Sequence, residues 1–596
     1  MADTPQSLLQ NRHRYAVETV KANLETDSAF AFVSTGEAPL LLTHCSAIWR
    51  KTIRLSDREW VVYVGLPPLF PDEVPIACVT DWKDLVLRNP HVDERGFICT
   101  IPDSAAINSD DPSGLVRYVF NDADQILKGT SANDFQDEFS SYWNRSITNK
   151  NQAILVIDSI EQLNNPFSAV FCKGVIHAAS SAERINWWVS NRTGQPSELK
   201  ETGLGVAVHL NAPLLPDAYP NTLAELISLA EANDSPAAEA IKKHFTNSFE
   251  SGLALLVQKE GEGVALGGVV FTGLGLSQRT SAEFTHGFRA GKVPADLLRK
   301  RAAKLIASNV VTRNVVTRVD HRWIHSRGGD GRDLSKKSVL LIGCGSLGGY
   351  VAHLLSRAGI GRLTITDNDH LGWENLGRHI LGASYIGRWK AEALAEELTR
   401  ELPHLTIKGI PKDWRDAFAL NPKLFAEHDL IISTVADWRC ERPLNELARK
   451  TQMPTVFLGW LEPHAVAGHC LAIAQQGGCF ECAANSSGLF NHAVAQYDKT
   501  QISKEPGGCT HYQHYGPTAL MPVASMIAST AVESLLGSST DSILNTWISS
   551  EEHFKAVKAN LTNVWASEVG KAGYSRTFRK PWNKSTSCVI CTHANS

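Results

Sequence analysis

The chain has 596 residues, which at roughly 150 residues per domain implies three or four domains instead of a single core. Hydrophobic residues make up 43% and charged residues 20%, ordinary globular values that leave no room for long disorder. The 58 Lys and Arg stand against 62 Asp and Glu, a formal net charge of -4 without a dense basic block, which argues against a nucleic-acid partner. The first residues lack the charged-then-apolar layout of a secretory signal, and no apolar run approaches the ~18 residues of a spanning helix. A cytoplasmic protein with no membrane partner is expected.

Residues 1–150 begin with a helical pattern and pass through the strand-like runs TIRL and WVVYVGL. They then enter the proline-punctuated stretch Leu66-Pro67-Pro68-Leu69-Phe70-Pro71-Asp72-Glu73-Val74-Pro75, as in a compact α+β domain. Pro90-His91-Val92, Gly96 and Phe97-Ile98-Cys99 follow. This order resembles the ubiquitin-conjugating layout, in which a proline-marked strand leads to a histidine turn and then to the catalytic cysteine. The resemblance implies Cys99 as acceptor of an acyl group. It also exposes a departure: valine stands at 92 where the family's asparagine stabilises the tetrahedral oxyanion, so another group must do so. Divergent bacterial and autophagy-type conjugating enzymes share it.

Residues 151–325 read as a middle α/β linker domain. Apolar strand-like runs (AILVID, GVAVHL, LALLVQ, VALGGVVF) mix with a helical segment near 222–245, and no chemical motif or repeat stands out. The polar stretch Ser326-Arg327-Gly328-Gly329-Asp330-Gly331 marks the next boundary, and residues 326–596 form the third domain.

That domain opens with the apolar strand SVLLI, which runs into Gly343-Cys344-Gly345-Ser346-Leu347-Gly348, a helical pattern and a second strand ending at Asp367, nineteen positions after Gly348. Order and spacing fit a Rossmann-like βαβ nucleotide site: Gly343, Gly345 and Gly348 permit close backbone approach, the helix N-terminus faces phosphate, and the acid can hold ribose hydroxyls. Asp367-Asn368-Asp369, Asn375-Leu376-Gly377-Arg378-His379, Gly387-Arg388-Trp389-Lys390 and Asp437 follow in order. Together they resemble the adenylation domain of ubiquitin-activating enzymes and their ThiF/MoeB relatives. By that resemblance the site binds ATP with Asp367 and Asp369, Arg378 and Lys390 neutralise its phosphates, Asn375 supports them, and Asp437 serves Mg2+. A carboxylate attacking an α-phosphate meets several negative charges, so cations and in-line placement carry such catalysis. Relatives add an arginine from upstream, for which Arg318, Arg322 and Arg327 are equal candidates.

Among the 12 cysteines, Cys479/Cys482 and Cys588/Cys591 form two C-x-x-C pairs about a hundred residues apart, the pattern of one closed structural Zn2+ site. Between the pairs, Pro506-Gly507-Gly508-Cys509-Thr510 precedes a helical run. Cys509 matches the family's catalytic cysteine in its crossover loop, and nearby histidines can activate a thiol there. Cys344, Cys440 and Cys470 sit in apolar stretches and read as small core residues.

Conjugating-like module, middle region and zinc-bearing activating domain resemble the activating–conjugating fusion proteins of bacterial CBASS anti-phage operons. The resemblance implies a homodimer through the adenylation domain. It implies as substrate a protein with a flexible C-terminus, a cGAS-like nucleotidyltransferase, which is passed through Cys509 and Cys99 to a target lysine. Two other readings share part of the residue set: a sulfur-carrier adenylyltransferase, which has no use for Cys99, and a non-catalytic ATP-binding scaffold.

Overall fold

The computed structural model describes the chain apart from residues 1–4, 56–57, 81–90, 94, 102–105, 129–137, 148–151, 173, 200–202, 249, 274–286, 290–291, 329–330, 485–489, 498–502, 505–510, 513, 538–540 and 593–596. It divides into two compact units, residues 1–155, 163–181 and 200–317 in the first and residues 156–162, 182–199 and 318–596 in the second.

In the first unit, α1 (Pro5–Leu24) precedes an antiparallel sheet of β1 (Phe30–Phe32), β2 (Ala47–Leu55), β3 (Arg58–Leu66), β4 (Ile76–Val79) and β5 (Phe97–Ile98), followed by α2 (Pro112–Lys128) and α3 (Phe139–Arg145). The runs read as strands become β2 and β3. Trp49, Trp60, Val62 and Val64 point with Val116, Val119 and Phe120 of α2 into one core.

The middle region closes into a barrel, an outcome that alternating apolar runs do not encode. Its strands are β6 (Ala153–Val156), β7 (Phe167–Cys172), β8 (Val175–Ala179), β9 (Gly203–His209), β10 (Ser251–Glu260), β11 (Gly263–Thr272) and β12 (Thr312–Arg318), in the order β10-β11-β12-β6-β8-β7-β9. Parallel pairing of β9 with β10 completes the ring. Between β8 and β9 the chain forms α4 (Ala182–Thr193), which belongs to the second unit. The expected helix near 222–245 is two helices, α5 (Leu223–Asn233) and α6 (Ser235–Asn247). Asp234 breaks it: its carboxylate accepts the Ala237 N–H and caps α6, while Thr222 and Glu225 form a capping box on α5. α7 (Ala295–Ser308) leads to β12. Trp143 of α3 is fully buried and donates its indole N–H to the Asn314 carbonyl at 3.0 Å, tying α3 to β12.

The second unit carries an eight-stranded sheet. After α8 (His321–Gly328) come β13 (Ser338–Ile342), α9 (Ser346–Arg357), β14 (Arg362–Thr366), α10 (Lys390–Glu401), β15 (Thr406–Ile410), α11 (Trp414–Leu420), β16 (Leu430–Ser433), α12 (Trp438–Lys450), β17 (Thr455–Leu461), β18 (Ala467–Ile473), α13 (Pro517–Leu536), β19 (Ile543–Ile548) and β20 (Arg576–Pro581). The order is β15-β14-β13-β16-β17-β18-β19-β20, parallel from β15 to β17 and antiparallel beyond. All five residues of β13 are buried, as a parallel strand covered on both faces requires. Strand order reverses between β14 and β16 around β13, and crevices at such switch points are where doubly wound sheets bind ligands.

One expectation is corrected here. α13 spans 20 residues with a mean hydropathy of 1.5 over its most apolar window, so by length and composition one helix does suffice to cross a membrane. Leu520, Val523, Ala524 and Ile527 of that helix are buried in the core with Val351 and Leu355 of α9.

Two buried histidines, His325 and His404, and the half-buried His321 join α8 to the loop before β15. His325 Nε2 and His404 Nε2 lie 2.9 Å apart, so one donates and the other accepts, and the His321 ring is 4.5 Å from that of His325. Burial pushes His325 down to about 4 and His404 to about 3. Folded values below the usual ~6.5 mean that the unfolded chain binds the extra protons, so this stability is complete above ~6.5 and lost as pH falls toward 4. Amide-exchange protection of α8, corrected for intrinsic rates, is expected to fall over that window in the wild type and to stay flatter in His404→Gln.

Candidate functional site

Where β13 turns into α9, the glycines are required by space. Gly343 has φ 81°, and a Cβ on Gly348 would lie 2.1 Å from the Gly343 carbonyl oxygen and 2.4 Å from Thr434 Oγ1. The turn is braced from β14. Asp367 Oδ2 accepts the Cys344 N–H at 2.7 Å and Oδ1 accepts the Asp369 N–H at 2.8 Å. Sequence reading assigned Asp367 to a ribose; its recorded bonds hold the glycine turn, and it also lines a cavity of about 170 Å³ with Gly343, Gly345, Asp369 and Lys390.

A larger cavity of about 400 Å³ is lined by Gly345, Ser346, Leu347, Asn375, Arg378 and Lys390, so residues far apart in sequence converge on one space at the start of α9. Lys390, 8% exposed, belongs to both cavities and puts Nζ 3.1 Å from Asp369 Oδ2. The Arg378 guanidinium lies 5.1 Å from the centre of the Tyr515 ring, whose hydroxyl is 2.8 Å from Ser346 Oγ. Asn375 Oδ1 accepts the Gly372 N–H at 3.0 Å. A phosphate placed here would meet the α9 N-terminus, an arginine and a lysine together.

Asp437 is placed differently. It caps α12, its carboxylate accepts two bonds from the Arg439 guanidinium at 3.1 and 2.7 Å, and it is not among the residues lining either cavity. The Arg439 bonds hold its carboxyl below the usual range. Of the upstream arginines, Arg318 pairs with Asp320 at 2.9 Å and Arg322 with Glu161 at 3.4 Å, and neither lines these cavities; the Arg327 side chain is outside the described residues. Cys344 and Cys470 are buried as expected, whereas Cys440 is partly exposed and lines the smaller cavity 3.6 Å from Arg415 Nη2, which corrects its reading as a core residue.

Sequence reasoning missed Glu441, which gives no signal beyond being one charge in a charged helix. It is 5% exposed, lines the larger cavity with Trp438, Trp460 and Phe480, and accepts bonds on Oε1 from the Ser433 hydroxyl at 2.7 Å and the Ala436 N–H at 3.3 Å. Burial raises its carboxyl to about 7. A folded value above the ordinary ~4.5 gives stability that is complete below ~4.5 and lost as pH rises through 7, roughly 3 kcal/mol in all. Glu441→Gln is expected to remove most of that slope from denaturant midpoints measured at acid and alkaline pH.

The four C-x-x-C cysteines converge. Cys479 and Cys588 Sγ are 3.6 Å apart, Cys482 and Cys591 3.5 Å, Cys479 and Cys482 4.0 Å, and all four lie within 4.8 Å of one another. Thiolates bound at about 2.3 Å around a tetrahedral zinc stand about 3.8 Å apart, so the cluster has the dimensions of a closed metal site. Phe480, between the first pair, packs tilted against Trp438 with ring centres 4.3 Å apart and lines the larger cavity. The knuckle therefore shapes that wall. Cys509 lies outside the described residues.

In the first unit, Cys99 directly follows β5 and is partly exposed. An antiparallel bridge joins Val92 to Ile98, and the Cys99 N–H donates to the His91 carbonyl at 2.8 Å. Val92 is fully buried, so position 92 faces the core and supplies no donor to an acyl group on Cys99.

With this geometry in view, residues 44–152 match the Prokaryotic E2 family B and residues 323–591 match the ThiF family. The chain is a fusion of a prokaryotic E2 family B domain with a ThiF-family, activating-enzyme-like domain. It is similar to the ATP-dependent ubiquitin transferase-like protein Cap2 of Pseudomonas aeruginosa (strain BWHPSA011 / Pa011), 25% identical over 462 residues that cover 73% of this chain and 77% of that protein. It is 33% identical over 129 residues to the molybdopterin-synthase adenylyltransferase of Escherichia coli (strain K12), covering 21% of this chain and 51% of that enzyme. Among solved structures, E. coli MccB with ATP matches 62% of this chain and 85% of its own at 13% identity and a TM-score of 0.30.

Proposed function

We propose that this protein is a cytoplasmic ligase that uses ATP to adenylate the C-terminal carboxylate of another protein, moves the acyl group to Cys509 and then Cys99, and joins it to a lysine. The observation that carries the reading is the convergence of the α9 N-terminus with Asn375, Arg378 and Lys390 on one cavity. Cations aimed into a cavity serve a transferring phosphoryl group and have little use in a passive scaffold. The prokaryotic E2 family B domain supplies a reason for a second cysteine, since a tether raises the effective concentration of the acceptor thiol near the donor thioester. The partition at 1–150, 151–325 and 326–596 follows this division of labour.

Cys479, Cys482, Cys588 and Cys591 fit a structural zinc. Asp437 would exchange Arg439 for a magnesium ion that offsets phosphate charge. The similarity to Cap2 supports an anti-phage CBASS setting, with a cGAS-like nucleotidyltransferase as the activated protein and a homodimer through the adenylation domain.

The test mixes the protein with ATP, a cGAS-like nucleotidyltransferase and a lysine acceptor. Pyrophosphate and a thiol-reducible adduct are expected. If Cys509→Ala and Cys99→Ala both form adduct and product like the wild type, the relay is wrong. A thiocarboxylate that appears only with sulfide would assign the protein to sulfur-carrier activation instead.

A further inference from the structure

The turn carrying Cys99 is held by a helix outside the cysteine motif. Val92 pairs with Ile98 and the Cys99 N–H donates to the His91 carbonyl, so His91 stands opposite Cys99. His91 has φ 66°, a left-handed conformation that a non-glycine residue keeps only when its surroundings impose it. Here they do. Its carbonyl accepts from Cys99, and its N–H donates to Tyr142 Oη at 2.7 Å. The ring also faces a carboxylate, with Nδ1 3.6 Å from Oε1 of Glu138, the residue just before α3.

The surrounding groups agree with a proton-handling role. Tyr142 is 1% exposed, and burial pushes its hydroxyl up to about 12, so it stays a neutral brace that is also hydrogen-bonded to Glu138. Asp122 of α2 also acts electrostatically on His91, its own carboxyl raised by burial. Arg145 lies 5.4 Å from the Tyr142 ring centre.

We propose that His91, oriented by Glu138 and Tyr142, is the base that takes the proton of the amine attacking an acyl group on Cys99. This rests on the reading of Cys99 as acceptor thiol. The amine lone pair forms the C–N bond as the C–S bond breaks, and Cys99 leaves as thiolate. The proton passes from nitrogen to the imidazole and from there to the sulfur, so amine and thioester become amide and thiol. His91 is the catalytic residue, and Glu138 and Tyr142 are positioning residues.

Full-length protein carrying Cys509→Ala is loaded by exchange with a fluorescent Gly-Gly peptide thioester of mercaptoethanesulfonate. Discharge to Nα-acetyl-lysine amide is then followed between about pH 6 and 9. His91→Asn, which tolerates the left-handed backbone, is expected to load within about twofold of wild type and to discharge about 100-fold more slowly. Glu138→Gln is expected to slow discharge about tenfold and to move the acid limb of its profile to lower pH, because the amide no longer stabilises the imidazolium. A merely structural contact would scale the rate and leave the limb in place. Should His91→Asn fail to load, the limb of Glu138→Gln decides. Equal loading of Cys99→Ala overturns the acceptor reading and this inference with it. Cys99-dependent loading with wild-type discharge in His91→Asn and an unmoved limb in Glu138→Gln overturns this inference alone.

Discussion

Lys390→Ala is expected to lower ATP–pyrophosphate exchange by 10²–10³-fold, roughly 3–4 kcal/mol of transition-state stabilisation, with a much smaller change in nucleotide affinity. Of Gly345, Lys390, Thr434 and Val435, which line both cavities, Lys390 is the charged one, so its ammonium would reach a phosphate chain that passes from one to the other. It is nearly buried, and Asp369, whose side chain is 68% exposed, is its ion-pair partner. An exposed carboxylate rehydrates when its partner is removed, so the fold should tolerate the change. Arg378→Ala is expected to act similarly and less strongly, because the Arg378 head rests on the Tyr515 ring as well as facing the cavity. Exchange within threefold of wild type in both variants, with melting unchanged, would remove the phosphate role from these residues.

The second large effect concerns the four-cysteine cluster. Cys588→Ser combined with Cys591→Ser is expected to abolish a stoichiometric zinc found by metal analysis and to lower the melting midpoint by 10 °C or more, at about 2–4 °C per kcal/mol for a domain of this size. The reason is packing as much as coordination. Cys588 and Cys591 are buried with Trp582 and Ile590 in the core that contains Leu340, Ile431 and Leu458, so releasing them opens a face of the central sheet. Crowding of the thiols pushes Cys482 down and Cys479 up, each through its contacts with the other and with Cys591. Proteolysis of the tail after β20 should rise in the double variant and in chelated wild type alike. Wild-type protein that contains no metal and melts with the variant would exclude the zinc site. Since Phe480 sits between two of these cysteines and lines the larger cavity, weakened nucleotide binding is expected to accompany loss of the metal.

How far each site could be read in advance followed the distance over which its geometry is set. The β13 turn is local: an apolar strand, glycines at 343, 345 and 348, and a helix start define it within a dozen residues. The two cysteine pairs were equally legible, because a C-x-x-C spacing already fixes half of a tetrahedron. Asp437 was recognised by its place in a series, yet its carboxylate is directed by a neighbour two residues away, Arg439, which family order does not describe. Glu441 was invisible, since its role depends on burial at a cavity whose other walls come from β17, the knuckle and the loop at 515.

The sequence by itself determined the kind of protein this is: ordered polar and basic residues after a glycine turn, paired cysteines, and a cysteine following a proline-marked strand. Those signals are short-range, written by turn geometry, ligand spacing and strand alternation. Tertiary structure alone decided that the middle strands close into a barrel, that Lys390 serves two cavities, and that α3 brings Glu138 and Tyr142 to a histidine about fifty residues earlier. Such meetings depend on which strands pair and in what register, and register is set by the packing of whole faces and not by any residue's neighbours in the chain.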